Sequence, residues 1–289
     1  MKNMLFAAVM TGWLCSASSV HPANAPVRWT PEEIATSSYE AAPSFSVDGR
    51  EMIYLSADSD FTGWRLLRSV CAGGRWSVPM PPPFAAPAPV IEADPGFTPD
   101  GKGLYYISAR HDAANADFDI YHVARNSDGS WGDPERLPEP VNSPQSELLP
   151  RADGEGRLYF GSARPGGPGQ GDIYVATRDA SGRWRVALVG PPVSSSANEY
   201  EAEISRDGRT LILVSDRDGR SHLYRFVRRD GTWIATGRIA GRNDVFQVGP
   251  LLSPQAEKLL FAEADGARSG EFFLHSLKPN SLEDWPPKC

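Results

Sequence analysis

The sequence is poor in the residues that most metal and thiol chemistry uses. It contains three Cys and five His in 289 residues, and it has no C-x-x-C, H-E-x-x-H or G-x-S-x-G motif. Zinc binding by clustered cysteines, thioredoxin-like redox chemistry and zinc-peptidase chemistry therefore have no support. Nothing in the spacing points to a Ser-His-Asp site either. We expect no cofactor and no bound metal.

Long apolar runs are also scarce, and only one stands at an informative position. Residues 4–14 are apolar, Lys2 precedes them, and A-N-A at residues 23–25 fits the small-residue rule for cleavage. The run is well short of the ~20 residues that a membrane-spanning helix needs. We predict that residues 1–25 form a signal peptide. Residues 26–289 would then form a single periplasmic domain without a membrane span.

The scarcity of cysteine leaves one disulfide to consider. Loss of the signal peptide would remove Cys15 and leave Cys71 and Cys289 as the sole internal pair. Cys289 is the last residue, and chain ends are poorly held in place. A disulfide needs Cα atoms about 5.5 Å apart. We therefore predict that both thiols are free.

Positive charge is in the minority. The chain has 36 acidic and 29 basic residues, for a formal net charge of −7. An acidic surface disfavours nucleic acid and anionic membranes as partners, because both carry negative charge. We expect no nucleic-acid partner.

Turn residues are abundant, and they mark a tandem repeat. Five short turns recur at intervals of about 50 residues: Asp48-Gly49, Asp100-Gly101, Asp153-Gly154, Asp207-Gly208 and Gln255-Ala256. Runs rich in Ile, Val, Leu and Tyr flank each turn and predict strands, and a Trp late in four units marks a fourth strand. Four short antiparallel strands in each of five units predict an all-β fold, a five-bladed β-propeller.

The fifth unit lacks a clear fourth strand. The segment W-T-P-E-E-I from Trp29 resembles W-G-D-P-E-R-L from Trp131 in the second unit. We predict that residues 27–34 lie beside residues 271–276, complete the last blade and close the ring, which removes exposed sheet edges. Trp285 is the alternative for this place, but its surroundings, E-D-W-P-P-K, are broken by proline.

The repeats resemble the WD-repeat-like propeller repeats of the TolB family. The resemblance rests on E-x-x-P-x-x-S-x-D-G, on S-x-R before the glycine turn and on D-I-Y-x-x-x-R, and it covers residues 37–278. It implies a periplasmic propeller that binds partner proteins. TolB itself has six blades and an extra N-terminal domain, whereas this chain shows five repeats and no room for that domain. Similar propellers accompany serine peptidases as non-catalytic domains, and no hydrolase domain is expected here.

One polar position recurs at the start of the innermost strand of every unit. It holds Glu40, Glu92, Glu147, Glu199 and Gln247, and the S-x-R motif adds Arg110, Arg164 and Arg217. We predict that these side chains gather at one mouth of the channel as binding residues. The glutamates could hold a cation or perform acid–base chemistry. We favour pairing with the arginines, because a residue present in every blade usually serves blade geometry.

Acidic turns between the second and third strands are another candidate. Spaced Asp and Asn oxygens suit Ca²⁺, but neither turn fits a full calcium-loop pattern, and the glycine loop at residues 164–171 lacks the Lys-Ser/Thr of a phosphate loop. We predict no metal at these turns. Their acidic and amide residues are Asp58, Asp60, Asp112, Asn115, Asp117 and Asp119.

These patterns favour a monomeric, exported, non-catalytic propeller that binds a protein, peptide or glycan partner through one face of the ring. The alternative is a five-bladed glycoside hydrolase or related carbohydrate-active enzyme, whose acid and base or nucleophile would come from Glu40, Glu92, Glu147 and Glu199. Their presence in nearly every unit counts against catalysis, because catalytic carboxylates need different environments to hold different pKa values.

Overall fold

The computed structural model describes residues 25–265 and 268–289. Within these ranges the chain forms strands, turns and loops without a helix, so the predicted all-β class is confirmed. No described segment forms an apolar helix of membrane-spanning length. The predicted signal peptide lies outside the described residues except for Ala25.

Twenty strands follow one another along the chain. The first half contains β1 (Val27–Arg28), β2 (Tyr39–Phe45), β3 (Glu51–Ala57), β4 (Arg65–Ala72), β5 (Arg75–Trp76), β6 (Glu92–Phe97), β7 (Gly103–Ser108), β8 (Asp119–Ala124), β9 (Glu135–Arg136) and β10 (Glu147–Ala152). The second half contains β11 (Leu158–Ser162), β12 (Asp172–Arg178), β13 (Trp184–Leu188), β14 (Glu199–Ile204), β15 (Thr210–Ser215), β16 (His222–Arg229), β17 (Thr232–Arg238), β18 (Val248–Leu252), β19 (Lys258–Asp265) and β20 (Arg268–Ser276).

The strands form up-and-down antiparallel sheets, each made of consecutive strands. Three sheets have four strands each, β6–β9, β10–β13 and β14–β17. An eight-stranded sheet joins β2–β5 to β18–β20 and β1, through a single parallel bridge between Tyr39 and Gly270. The first strands contact one another in succession, β2 with β6, β6 with β10, β10 with β14, β14 with β18 and β18 with β2. The five first strands therefore surround the centre of the molecule.

The repeated turn connects the first and second strands by a local hydrogen-bond pattern. In the second unit the hydroxyl of Thr98 donates to the carboxylate of Asp100 at 2.7 Å, and the backbone N–H of Lys102 donates to it at 3.0 Å. Gly101 has a φ of +72°, a left-handed conformation that glycine adopts without steric cost. The S/T-x-D-G sequence therefore sets this turn.

The N-terminal strand pairs where the sequence predicts, but it is shorter. Val27 pairs with Leu274 and Arg28 with Phe273, and the N–H of Trp29 donates to the carbonyl of Phe272 at 2.8 Å. The strand ends at Arg28, because Pro31 begins a tight turn in which its carbonyl accepts from the N–H groups of Ile34 and Ala35. The predicted range 27–34 was therefore too long.

The prediction of free thiols is wrong. Cys71 and Cys289 form a disulfide with Cα atoms 5.2 Å apart. The C-terminal segment is held by tertiary contacts: Trp285 is buried, and the carboxylate of Glu283 accepts from the N–H of Gln255 at 3.0 Å. These contacts keep Cys289 beside β4, so the usual fraying of a chain end does not apply.

The hydrophobic core lies between neighbouring sheets. Tyr106 of β7 packs with Ile53 and Leu66 of the preceding sheet, and Phe226 of β16 packs with Tyr159 and Ile173. All six side chains are nearly or fully buried. Large side chains on the second and third strands therefore fill the wedges between sheets, and the centre is left to the first strands.

Candidate functional site

The repeated glutamates form buried ion pairs within their own units. The carboxylate of Glu199 accepts from the hydroxyls of Ser195 at 2.6 Å and Ser215 at 2.9 Å, and from Nη2 of Arg217 at 2.9 Å. The side chain of Glu199 is fully buried. Its hydrogen bonds tie the loop before β14 to the end of β15, so the arrangement fastens one unit internally.

The same arrangement recurs in two other units. Glu147 accepts from Ser143, Ser162 and Arg164, and Glu92 accepts from Ser108, Arg110 and the N–H of Ala86. The guanidinium groups also lie over aromatic rings, as Arg164 does at 5.0 Å from the ring centre of Tyr174. The pairing of these glutamates with the S-x-R arginines is thus observed.

Two units depart from the pattern. Glu40 has no arginine, because Asp58 stands where the other units have one, and its Oε2 is buried without a partner among the described residues. Burial raises the pKa of Glu40 to about 7. Gln247 instead donates from Nε2 to Glu263 at 3.0 Å.

None of these five side chains lines the two cavities at the centre of the molecule. Arg110, Arg164 and Arg217 do not line them either. The binding role of all eight residues therefore stays a prediction, as does the catalytic alternative for the four glutamates.

The buried pairs and the unpaired Glu40 should respond differently to substitution. Glu199→Gln and Glu92→Gln are each expected to lower the free energy of unfolding by about 1–3 kcal/mol, because charge-assisted hydrogen bonds are lost. Glu40→Gln should raise stability above pH 7. The raised pKa of Glu40 means that its stabilisation is complete below the unfolded value of 4.5 and is lost as the pH rises through about 7.

Urea unfolding of the three variants and the wild type at pH 5 and pH 8 measures both effects. The same destabilisation for Glu40→Gln as for Glu199→Gln at pH 8 would contradict the difference between the units.

The first strands share a bulge that points different side chains at the centre. Counted from the repeated Glu or Gln as the first position, the register shifts after the first or second position of each first strand, and the third position has a positive φ in four of the five. These third residues differ from unit to unit: Ala42, Asp94, Leu149, Glu201 and Gly249. The bulge position therefore varies, whereas the first position is nearly constant.

A cavity of about 430 Å³ opens on one side of these bulges. Asp94 and Glu201 line it, and both are more than nine-tenths buried. The N–H of Leu149 donates to Oδ2 of Asp94 at 3.0 Å, and the N–H of Gly249 donates to Oε2 of Glu201 at 2.7 Å. The second oxygen of each carboxylate accepts no hydrogen bond from the described residues and is free for a ligand.

The two carboxylates repel each other. Burial and then the charge of Asp94 raise the pKa of Glu201 to about 8, with the Gly249 N–H and Arg151 acting in the opposite direction. Burial also raises the pKa of Asp94. Near neutral pH this part of the cavity can therefore either donate or accept a proton.

An ion pair lies on the far side of the two carboxylates. Nε of Arg151 is 2.9 Å from Oε2 of Glu203, and Nη1 of Arg151 donates to the carbonyl of Asp94 at 3.2 Å. A Cβ at Gly96 would lie 2.8 Å from Nη1, so only glycine leaves room for the guanidinium. Arg151 and Glu203 line a second cavity of about 350 Å³ and do not line the larger one.

Aromatic side chains form one wall of the larger cavity. Five aromatic rings contact one another in a row, in the order Phe246, Tyr39, Phe61, Trp64 and Phe118. The distances between the centres of successive rings are 5.3, 4.8, 5.3 and 5.6 Å. Phe61, Trp64 and Phe246 line the cavity itself. We call these five residues the aromatic wall.

The acidic turns serve mainly local structure. The carboxylate of Asp112 accepts hydrogen bonds from three backbone N–H groups of its own turn. The side chain of Asn115 accepts a hydrogen bond from the N–H of Ile91 and donates one to the carbonyl of Pro89. His111 does approach Asp119 at 2.9 Å and Asp117 at 3.4 Å. The guanidinium of Arg136 also binds Asp119, which makes this group an ion-pair network.

Comparisons with known proteins support the fold. No family model matches the chain, and no curated protein matches it in sequence. A TolB-like protein from Agrobacterium tumefaciens has a TM-score of 0.52 at 23% identity, covering 80% of this chain and 72% of that one. A family 117 glycoside hydrolase, Zg3597 from Zobellia galactanivorans, has a TM-score of 0.57 at 13% identity, covering 89% and 91%.

A further solved glycoside hydrolase has a TM-score of 0.55 at 12% identity and covers 92% of this chain and 95% of its own. At such identities the likeness extends to the fold alone. Together with the sheets of four strands, these likenesses support a β-propeller fold. Because one fold hosts many activities, the likeness in fold does not identify a function.

Proposed function

We propose that the protein is a five-bladed β-propeller, closed by its N-terminal strand, that binds a partner molecule through one face of the ring. The succession of contacts between first strands, which returns from β18 to β2, supports the ring. The pairing of β1 with β20 supports closure, because it gives the last unit its fourth strand. An experimental structure with any other number of blades would contradict this count.

The observation that carries the binding function is the larger central cavity. It combines a size suited to a small ligand or a side chain with apolar walls and a few polar groups, as ligand sites commonly do. Asp94 and Glu201 each have a carboxylate oxygen without a hydrogen bond at the base of the cavity, and the aromatic wall provides a flat apolar surface. A protein, peptide or glycan partner can engage both features at once.

Catalysis is the second candidate, and the raised pKa of Glu201 favours it. A carboxyl group with a pKa of about 8 is protonated at neutral pH and can act as a general acid. Glycoside hydrolysis pairs such an acid with a second carboxylate, a role that Asp94 would take here. If the protein is a glycoside hydrolase, Glu201 and Asp94 are therefore its catalytic pair in place of the four repeated glutamates.

A panel of glycans and peptides tests both candidates on one set of variants. We expect a ligand to raise the melting temperature of the wild type and of Glu32→Gln, an exposed control with the same loss of charge. Trp64→Ala and Asp94→Asn should abolish the shift. Release of reducing sugar that Glu201→Gln eliminates would establish the enzyme. A ligand whose binding none of the cavity variants affects would refute a central site.

We also propose that the protein is exported to the periplasm and is monomeric. The apolar run at residues 4–14 and the cleavage motif at residues 23–25 support export. N-terminal sequencing of the protein recovered from the periplasm, together with its mass in solution, tests both statements.

A further inference from the structure

We propose that the larger cavity binds an organic cation, a primary ammonium group carried on an apolar chain. The proposal rests on the binding function above and gives it a ligand chemistry. The structure points to it through two buried carboxylates, each with a free oxygen, at the base of a cavity with apolar and aromatic sides.

The charge at the centre is unbalanced. Asp94, Glu201 and Glu203 lie together there with Arg151, which pairs directly with Glu203. Asp94 and Glu201 have backbone N–H groups as partners and no cationic side chain at hydrogen-bond distance among the described residues. Burying unpaired carboxylates is costly. A cationic group between the two free oxygens would supply the missing counter-charge.

The remaining surface of the cavity suits an apolar chain. Its sides include Ala42, Leu55, Leu148 and Val248. The indole N–H of Trp64 is already donated to the carbonyl of Phe61 at 2.6 Å, so the aromatic wall presents mainly ring surface. Aromatic faces attract cations and pack against the methylene groups that carry them.

A metal ion fits this cavity less well. Calcium takes six to eight oxygen ligands, whereas the described side chains offer two free carboxylate oxygens at the base. Asp216 also lines the cavity, but its Oδ1 accepts from the N–H of Asn198 at 2.9 Å. An ammonium group needs only three acceptors.

Titration calorimetry with matched pairs of probes tests the proposal. The first pair compares cationic Nα-acetyl-lysine amide with neutral Nα-acetyl-norleucine amide and represents a side chain of a partner protein. The second pair compares cationic n-butylamine with neutral n-butanol and represents a free amine. We expect the cationic member of at least one pair to bind about tenfold more tightly or better. The pair that responds identifies the source of the ammonium group.

Charge-removing variants locate the binding. Glu201→Gln and Asp94→Asn should each weaken binding of the cationic probe about tenfold, and Glu32→Gln should leave it unchanged. If one of these two variants fails to fold, the other still tests the proposal.

Binding of the cationic probe should also strengthen between pH 6.5 and pH 9, because Glu201 loses its proton near pH 8 while the probe stays protonated. Asp94, Arg151, Tyr39 and Tyr200 interact electrostatically with Glu201, and Asp216 and the exposed Arg220 also line the cavity.

The other outcomes overturn the proposal. Equal binding of the charged and neutral probes, binding of calcium chloride in place of the amines, or full binding by both variants would each refute it. If the amines fail while a glycan or peptide binds in a Trp64-dependent manner, the proposed function survives without this ligand chemistry. If no probe or panel member binds at the cavity, both fail.

Discussion

Arg151→Met is expected to lower the free energy of unfolding at pH 8 by about 3–5 kcal/mol, because it removes the cation that pairs with the buried carboxylate of Glu203. The arginine is nine-tenths buried, pairs with Glu203 and lies beside Asp94. Burial raises the pKa of Glu203 to about 7 even with Arg151 present. Methionine fills much of the same volume, so lost packing contributes little.

The pH dependence of this loss follows from the same residues. Without Arg151 the pKa of Glu203 should rise further, so the carboxyl is neutral at low pH and the destabilisation fades as the pH falls towards 5. Urea unfolding followed by tryptophan fluorescence at pH 5 and pH 8 measures it. The double variant Arg151→Met with Glu203→Gln is the matched control and should recover part of the stability. An Arg151→Met protein as stable as the wild type at pH 8 would show that the pair contributes nothing net.

Reduction of the disulfide is expected to cost about 2–5 kcal/mol, since Cys71 and Cys289 are 218 residues apart and their bond restricts the unfolded chain strongly. Cys71→Ser should reproduce the loss. Because the disulfide ties Cys289 to β4, its loss should also loosen the segment that holds Trp285 against Phe45, whose ring centres are 6.3 Å apart.

Urea unfolding with and without dithiothreitol measures the contribution of the disulfide. The double variant Cys71→Ser with Cys289→Ser is the control, because the reductant should not affect it. Alkylation of the unfolded, unreduced protein should leave both positions unmodified. Labelling of either one, or a wild type that dithiothreitol does not destabilise, would refute the bond as a source of stability.

The parts of the fold that the sequence predicted are those that repeat. The turn at Asp100-Gly101, the strands around it and the pair of Glu199 with Arg217 follow from local sequence that occurs several times. The pairing of β1 with β20 was predicted because the N-terminal segment resembles a missing part of the last unit. Repetition supplied independent evidence for each of these features.

The parts that sequence reasoning missed occur once. Asp94, Glu201 and Arg151 stand at repeat positions whose residue differs from unit to unit, so residues shared by the units do not reveal them. Alignment of the five first strands would have shown two positions that change in every unit, the third and the fifth counted from Glu92 as the first. The disulfide was missed because the packing of the C-terminal segment depends on contacts far apart in sequence.

The bulge of the first strands has a consequence for how such a protein can change over evolutionary time. Structural and recognition residues lie close together along the same short segments. The first residue forms the fastening ion pair in three units, and the residue two places later lines the larger cavity in four. A point mutation at Ala42 would thus change the lining of the cavity without touching a repeated glutamate, whereas Gly249 is fixed, because a Cβ there would lie 2.3 Å from the backbone nitrogen of Ala42. Positions that line the cavity and are separate from the fastening residues allow one architecture to acquire new ligands stepwise, without first losing the contacts that hold its units together.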